Sequence, residues 1–331
     1  MRVNNSERNV TMYLGVDIGG TNIAVGLVDE GGNIIKKDSV PTGNERPFEE
    51  IMGDIVALCK KVVADSGFLE ADIKSVGIGV PGIPDPVGKR LVYANNLKNC
   101  NNKEMGKEIN KYFTNASVHI ENDANAAAYG EIIAGAAKGL KNVVVVTIGT
   151  GVGGGIIVDN KILSGFNFAG GEIGHTVIVK DGAKCNCGRR GCFEAYASAT
   201  GLIRQTKEII TKYPDSIIHT MTQNNPDKID GKTAFDAAKK GDEAGKKIVS
   251  QFIEYLGIGI TDIVNIFQPE AVVIGGGLSK EGDYLLEPLR AYVKDNSYEP
   301  DGVESTKIVA AKLGNDAGII GAALLYRQIK S

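Results

Sequence analysis

The sequence predicts an α/β protein made of two related halves. Apolar runs of strand length alternate with segments of helical spacing along the chain, the order of elements that builds a mostly parallel sheet. A glycine-rich hairpin occurs twice: Asp17-Ile-Gly-Gly-Thr and Thr147-Ile-Gly-Thr-Gly stand 130 residues apart, and the same offset aligns Val28-Asp29 with Val158-Asp159. A repeat of this length is too long for a solenoid unit and suggests two homologous α/β domains. Chance convergence of two hairpins is the lesser reading, because the offset holds at both ends. With 331 residues the chain has room for about two domains.

Taken in order, Tyr13–Asp17 reads as a strand, Gly19-Gly20-Thr21 as a tight turn and Ile23–Val28 as a second strand. The turn signal DEGG at 29–32 leads to a third strand at Ile34–Val40. The chain therefore opens with a β-meander. Rossmann and Walker loops need a helix directly after their glycines, and none follows these. Phe48–Ser66 has helical spacing, with Ile51, Ile55, Leu58, Val62 and Val63 on one face. Ser75–Pro81 is a buried strand, Val118–Glu121 another, and Asn125–Ala137 an alanine-rich helix. Val143–Val158 forms the second hairpin. Ala199–Lys212 and the long Glu243–Phe267 read as helices, the latter with Ile248, Phe252, Leu256 and Ile260 on its apolar side. Ala271–Ile274 is a buried strand running into Gly275-Gly276-Gly277, and Tyr284–Val293 and Ala317–Gln328 are helices. Asp215–Gly231, polar and proline-containing, reads as a surface excursion.

Composition excludes several classes of function. Apolar residues make up 43% and charged residues 23%, as in an ordinary globular protein. The formal net charge of −3 argues against a nucleic-acid binder held by bulk charge. No apolar run approaches the roughly 18 residues of a membrane span. Met1–Thr11 is polar and lacks the apolar core of a signal peptide, so the expected location is the cytoplasm, without membrane partners. Glycine is enriched, at 43 of 331 residues, and its clusters lie beside apolar strands, where backbone approaches a ligand closely. Of five cysteines, Cys185, Cys187 and Cys192 share one short segment, which fits a metal site better than a disulfide framework.

Three constellations carry chemistry. Turns of successive small residues expose N–H groups that cradle phosphate oxygens. Asp17, at a strand end before one such turn, cannot face a phosphate directly but can hold Mg²⁺ that bridges phosphates. Thr150-Gly151 offers a second cradle with a hydroxyl, and Gly275-Gly276-Gly277 sits where an α/β sheet usually takes its ligand. Each run alone also has a plain structural reading, since tight turns need glycine. Second, Glu121-Asn122-Asp123-Ala124-Asn125 lies where a strand ends and a helix begins. Either Asn122 or Asp123 would serve as a helix cap. An Asp at that place can also take the proton of a hydroxyl attacking phosphorus. Third, His175 with Cys185, Cys187 and Cys192 is a Cys₃His set, a tetrahedral zinc donor group with all positions filled by protein, as in structural sites.

At these residues the chain resembles the ROK family of sugar kinases and repressors. The resemblance lies in VDIGGTN at 16–22, ENDANAAAYGE at 121–131, TIGTGVGGGI at 147–156, GGEIGH at 170–175 and CNCGRRGCFEAYASATGL at 185–202. Within the family the chain looks most like the bacterial glucokinases. Two departures are Asn22, where the family often has Lys, and Asn95, where it often has Pro. The resemblance implies the hexokinase/actin-like (ribonuclease H-like) duplicated two-domain fold with a central cleft. It places a small domain at 1–121, completed by a C-terminal helix at 314–331, and a larger one at 122–313 carrying the zinc loop and sugar site. It implies that ATP and Mg²⁺ meet Asp17, Gly19, Gly20, Thr21, Asn22, Thr150 and Gly151, with Gly276 and Gly277 toward the adenosine. Asp123 would be the base toward the sugar 6-hydroxyl. Gly82, Asn96, Asn122, Glu172, His175 and Glu194 would bind other parts of the sugar, with His175 giving its second nitrogen to Zn²⁺. The implied reaction is glucose plus ATP to glucose 6-phosphate plus ADP, in a homodimer. The alternatives are a kinase for another hexose such as N-acetylmannosamine, or a non-enzymatic sugar-binding regulator. About a dozen polar residues precede the first strand, too few for the helix-turn-helix of the family's repressors. His119 and His219 have no partner readable from sequence.

Overall fold

The protein is represented by a computed structural model that describes residues 11–328. Its elements in order are β1 Met12–Ile18, β2 Asn22–Val28, β3 Ile34–Pro41, α1 Phe48–Ser66, β4 Ile73–Val80, β5 Ile83–Asp85, β6 Arg90–Tyr93, α2 Met105–Asn110, β7 Ser117–Asn122, α3 Asp123–Ala134, β8 Val143–Ile148, β9 Val152–Val158, β10 Lys161–Ile162, α4 Glu194–Ala197, α5 Ala199–Ile210, α6 Ile217–Met221, α7 Thr233–Lys239, α8 Glu243–Phe267, β11 Ala271–Gly275, α9 Asp283–Asn296, β12 Lys307–Ala310 and α10 Asp316–Ala323. Among the described residues no helix is long and apolar enough to cross a membrane.

Two five-stranded sheets share one topology, β3-β2-β1-β4-β7 and β10-β9-β8-β11-β12. In the first, β1 pairs antiparallel with β2 and parallel with β4, and β4 runs parallel with β7. In the second, β11 runs parallel with both β8 and β12. Shifting β2 by the 130-residue sequence offset lands on β9 end for end. The internal repeat seen in sequence is thus a repeat of structure.

The chain divides into two compact units: residues up to 141 with 155–170 and from 312 onward, and residues 142–154 with 171–311. The sequence boundary at 121/122 therefore falls inside the first unit, which also takes the C-terminal segment. The reason is close helix packing. A Cβ added to Gly321 of α10 would lie 1.7 Å from the Ala126 carbonyl oxygen of α3, and one on Gly130 of α3 2.2 Å from the Ala317 oxygen. Backbones that touch this closely hold α3 with α10, not with the residues that follow it. Gly321→Ala is expected to lower stability by about 3 kcal/mol, since backbone oxygen cannot move aside as a side chain can. Urea unfolding checks this; a loss under about 0.5 kcal/mol would contradict the packing.

The first unit's core forms where β1 and β2 present Leu14, Val16, Ile18, Ile23, Val25 and Leu27 alongside Ile51, Ile55, Leu58 and Val62 of α1, all buried. In the second unit, Val143–Val146 and Val272–Ile274 are buried, as are Ile248, Phe252, Leu256 and Ile260 of α8. Helix α3 begins at Asp123, earlier than its alanine run suggests, and stops at Ala134. It stops because the Glu131 carboxylate curls back over Gly135, where a Cβ would lie 2.0 Å from its Oε2, and takes the Ala136 N–H at 2.7 Å. The 215–231 segment is less of a surface excursion than its polarity implies: it contains α6, and Ile218 and Ile229 are buried.

Candidate functional site

In the first unit, Asp17 is the penultimate residue of β1 and Asp123 the first of α3. A Cβ on Gly79 of β4 would lie 3.6 Å from the Asp123 Cα and 3.7 Å from Asp17 Oδ1, so the two acids flank one glycine. The Asp17 carboxylate also fills the space a side chain at Gly318, in the first turn of α10, would need. Enclosure raises the Asp17 pKa to about 7, and the neighbouring Asp123 charge adds to the rise. A fold that raises an acid's pKa favours its protonated form. That favourable contribution is complete below the ordinary value near 4 and is lost as pH rises to about 7. The stability gain of Asp17→Asn over the metal-free wild type is therefore expected to grow between about pH 4 and 7, toward about 4 kcal/mol. Thermal unfolding of both proteins across that range checks this; a difference independent of pH would contradict it.

The Gly19–Asn22 turn is closed by the Gly19 N–H on the Asn22 carbonyl at 2.9 Å. Buried Thr42 braces it, donating its hydroxyl to the Gly19 oxygen at 2.7 Å and its N–H to the Thr21 oxygen at 2.8 Å. Gly20, Thr21 and Asn22 stay exposed. Exposed Asn96 reaches this turn, its amide nitrogen 3.2 Å from where a Gly20 Cβ would be. Asn122, not Asp123, caps α3, its Oδ1 accepting the Ala124 and Asn125 N–H groups. Its Nδ2 donates to the Gly82 carbonyl at 3.0 Å. Gly82 has φ +86°, and a Cβ there would strike the Tyr93 oxygen at 2.2 Å. Behind these residues Glu121 is buried, accepting the Asn122 N–H, the Asn125 amide and the Ser164 hydroxyl.

In the second unit, the ligand atoms of His175, Cys185, Cys187 and Cys192 all lie within 4.8 Å of one another. Cys187 and Cys192 sulfurs are 3.6 Å apart, and Cys185 Sγ is 3.8 Å from His175 Nδ1. A tetrahedral zinc with sulfur at 2.3 Å needs edges of about 3.8 Å, so the donor set fits that ion. The loop closes because Gly188 and Gly191 adopt φ +88° and +80°, and the Cys185 N–H reaches the Arg189 carbonyl at 2.9 Å. Donation from the Arg189 backbone and guanidinium brings the Cys187 thiol down to about 6, so a thiolate is ready at neutral pH.

His175 Nε2 faces the other way, 4.0 Å from Glu172 Oε2. Glu194, at the start of α4, has Oε1 at 3.7 Å from Cys185 Sγ and accepts the Val152 N–H on Oε2 at 3.0 Å. The same Oε2 is 2.3 Å from the place of a Gly151 Cβ. Glu172, His175, Glu194 and the Thr150-Gly151 turn are thus one cluster. Gly276 packs on the end of β8, where a Cβ would lie 2.3 Å from the Ile148 oxygen. Gly277 has open space beside it.

Three supporting groups escaped the sequence reading. Glu121 lies inside a quoted motif but gave no sign of its buried acceptor role. Gly318 matters only through the room it leaves Asp17. Thr42 carries no motif at all.

The ROK family model matches residues 13–329. A glucokinase of Thermotoga maritima is 38% identical over 95% of this chain and 97% of its own. A glucokinase of Streptomyces coelicolor is 37% identical over 96% of this chain and 98% of its own. Among solved structures, a ROK family glucokinase of Streptomyces griseus in complex with glucose and AMPPNP has a TM-score of 0.77 and 34% identity, covering 96% of this chain and 99% of that one.

Proposed function

The chain belongs to the ROK family, and from that premise we infer that it phosphorylates glucose at the 6-hydroxyl with ATP, giving glucose 6-phosphate and ADP. Near-full-length identity of 38% to a glucokinase carries this assignment. The fold is the hexokinase/actin-like one.

The residue roles we propose follow from the chemistry of each group. Asp123 accepts the proton of the 6-hydroxyl as its oxygen attacks the terminal phosphorus of ATP. Asn122, fixed by its cap and its bond to Gly82, presents its amide to the sugar, and Gly82 and Asn96 contribute from the same unit. Glu172, His175 and Glu194 accept and donate hydrogen bonds to further hydroxyls. Bound sugar would cover these groups, and a wrong epimer would leave one of them covered and unpaired, which is how the site would select. The Gly19–Asn22 and Thr150-Gly151 turns hold phosphate oxygens through N–H groups, and Gly276 and Gly277 lie toward the adenosine. Asp17 would hold Mg²⁺, whose bound charge offsets the phosphates; two acids flanking Gly79 and repelling one another make a donor set suited to a cation. His175, Cys185, Cys187 and Cys192 would hold Zn²⁺, which cross-links the loop and fixes the imidazole.

A coupled assay with MgATP across a panel of hexoses tests the assignment. Glucose is expected to give the highest kcat/KM. A higher value for N-acetylmannosamine would replace glucose as substrate, and sugar binding with no turnover on any hexose would point to a regulator.

A further inference from the structure

We propose that Thr200 is a positioning residue for the phosphoryl donor: its hydroxyl turns the Thr150–Gly151 peptide so that the Gly151 N–H faces the ATP phosphates. This rests on the reading of that turn as a phosphate cradle. The turn joins β8 to β9, and the start of α5 lies against it. In a planar trans peptide the C=O and the following N–H point in opposite directions. The Gly149 carbonyl accepts the Ala199 N–H at 2.8 Å, one of the donors a helix start leaves without an internal partner. The Thr150 carbonyl accepts the Thr200 hydroxyl at 2.8 Å. Two successive carbonyls are thus drawn toward α5, and the N–H groups of Thr150 and Gly151 are driven the other way. The flanking donors are already engaged, Gly149 N–H on the Gly151 oxygen at 3.0 Å and Val152 N–H on Glu194 Oε2 at 3.0 Å. Thr150 and Gly151 N–H have no partner among the described residues. Adjacent free N–H groups aimed one way form an anion-binding nest.

Ala199 acts through backbone and survives any side-chain change, so among the described residues Thr200 is the one side chain that holds the second peptide. Thr200→Val keeps the shape and removes the donor, and Thr200→Ser keeps the donor. Thr200→Val is expected to raise the KM for ATP about tenfold, the loss of one N–H bond to a charged oxygen. The KM for glucose, the thermal midpoint and inhibition by adenosine, which has no phosphate, should not move. Thr200→Ser should return the ATP value to that of the wild type. A wild-type KM for ATP in Thr200→Val, or equal rises for ATP and adenosine, would overturn the role. Hydrogen exchange at the Gly151 amide of the wild type, with and without AMPPNP, separates the two layers. Protection by nucleotide together with a silent Thr200→Val sinks the Thr200 role alone. No protection sinks the phosphate-cradle reading and the Thr200 role with it.

Discussion

Asp123→Asn is expected to cut kcat by about 10²–10⁴-fold while leaving glucose affinity and thermal stability close to wild type. That is about 3–5 kcal/mol added to the barrier without touching the scaffold. The scaffold survives because Asn122 performs the capping of α3. Asp123 Oδ1 accepts the adjoining Ala124 N–H at 2.8 Å, and an amide oxygen can do the same. What the amide cannot do is take a proton. The variant also removes the charge that helps hold Asp17 near 7, so Asp17 should titrate lower in Asp123→Asn than in the wild type. Steady-state kinetics with a binding measurement for glucose check the first part. Near-normal turnover would contradict the role of Asp123.

Stripping zinc is expected to weaken glucose binding by about 10–100-fold, with a smaller effect on ATP. The geometry places three proposed sugar contacts beside the proposed metal loop. His175 has one nitrogen on the cysteine side and the other 4.0 Å from Glu172, while Glu194 lies 3.7 Å from the Cys185 sulfur. Without the ion, His175 is free to rotate and the Cys185–Cys192 loop loses its cross-link. Cys192→Ser should move glucose affinity in the same direction and also lower the thermal midpoint, because Cys192 is wholly buried. Unchanged glucose affinity in a sample verified as metal-free would refute the coupling.

Sequence carried the fold far, for physical reasons visible in single elements. Helices α1 and α8 show a broad apolar stripe at helical spacing, so their ends read correctly at Phe48, Ser66, Glu243 and Phe267. The hairpin repeat was legible because glycine turns between apolar runs leave local marks. Elements such as α6 and α7 were missed because, at five and seven residues, they are too short for a helical period to show. The grouping of α3 with the N-terminal unit was equally hidden. It depends on Gly130 and Gly321 allowing backbone contact with α10, nearly two hundred residues on, which no local pattern announces. At the site, the Cys₃His set and Asp123 stood out by spacing and by family resemblance. Glu121, Thr42 and Thr200 did not, since a residue that holds a loop through a few hydrogen bonds leaves no periodic trace.

A crystal structure of the enzyme with glucose and AMPPNP bound would test the central assignment most directly. The Asp123 carboxylate is expected to lie about 2.6–3.2 Å from the 6-hydroxyl oxygen, with that oxygen in line with the terminal phosphorus. A carboxylate turned away and out of hydrogen-bond reach of the 6-hydroxyl, with both ligands fully occupied, would contradict it.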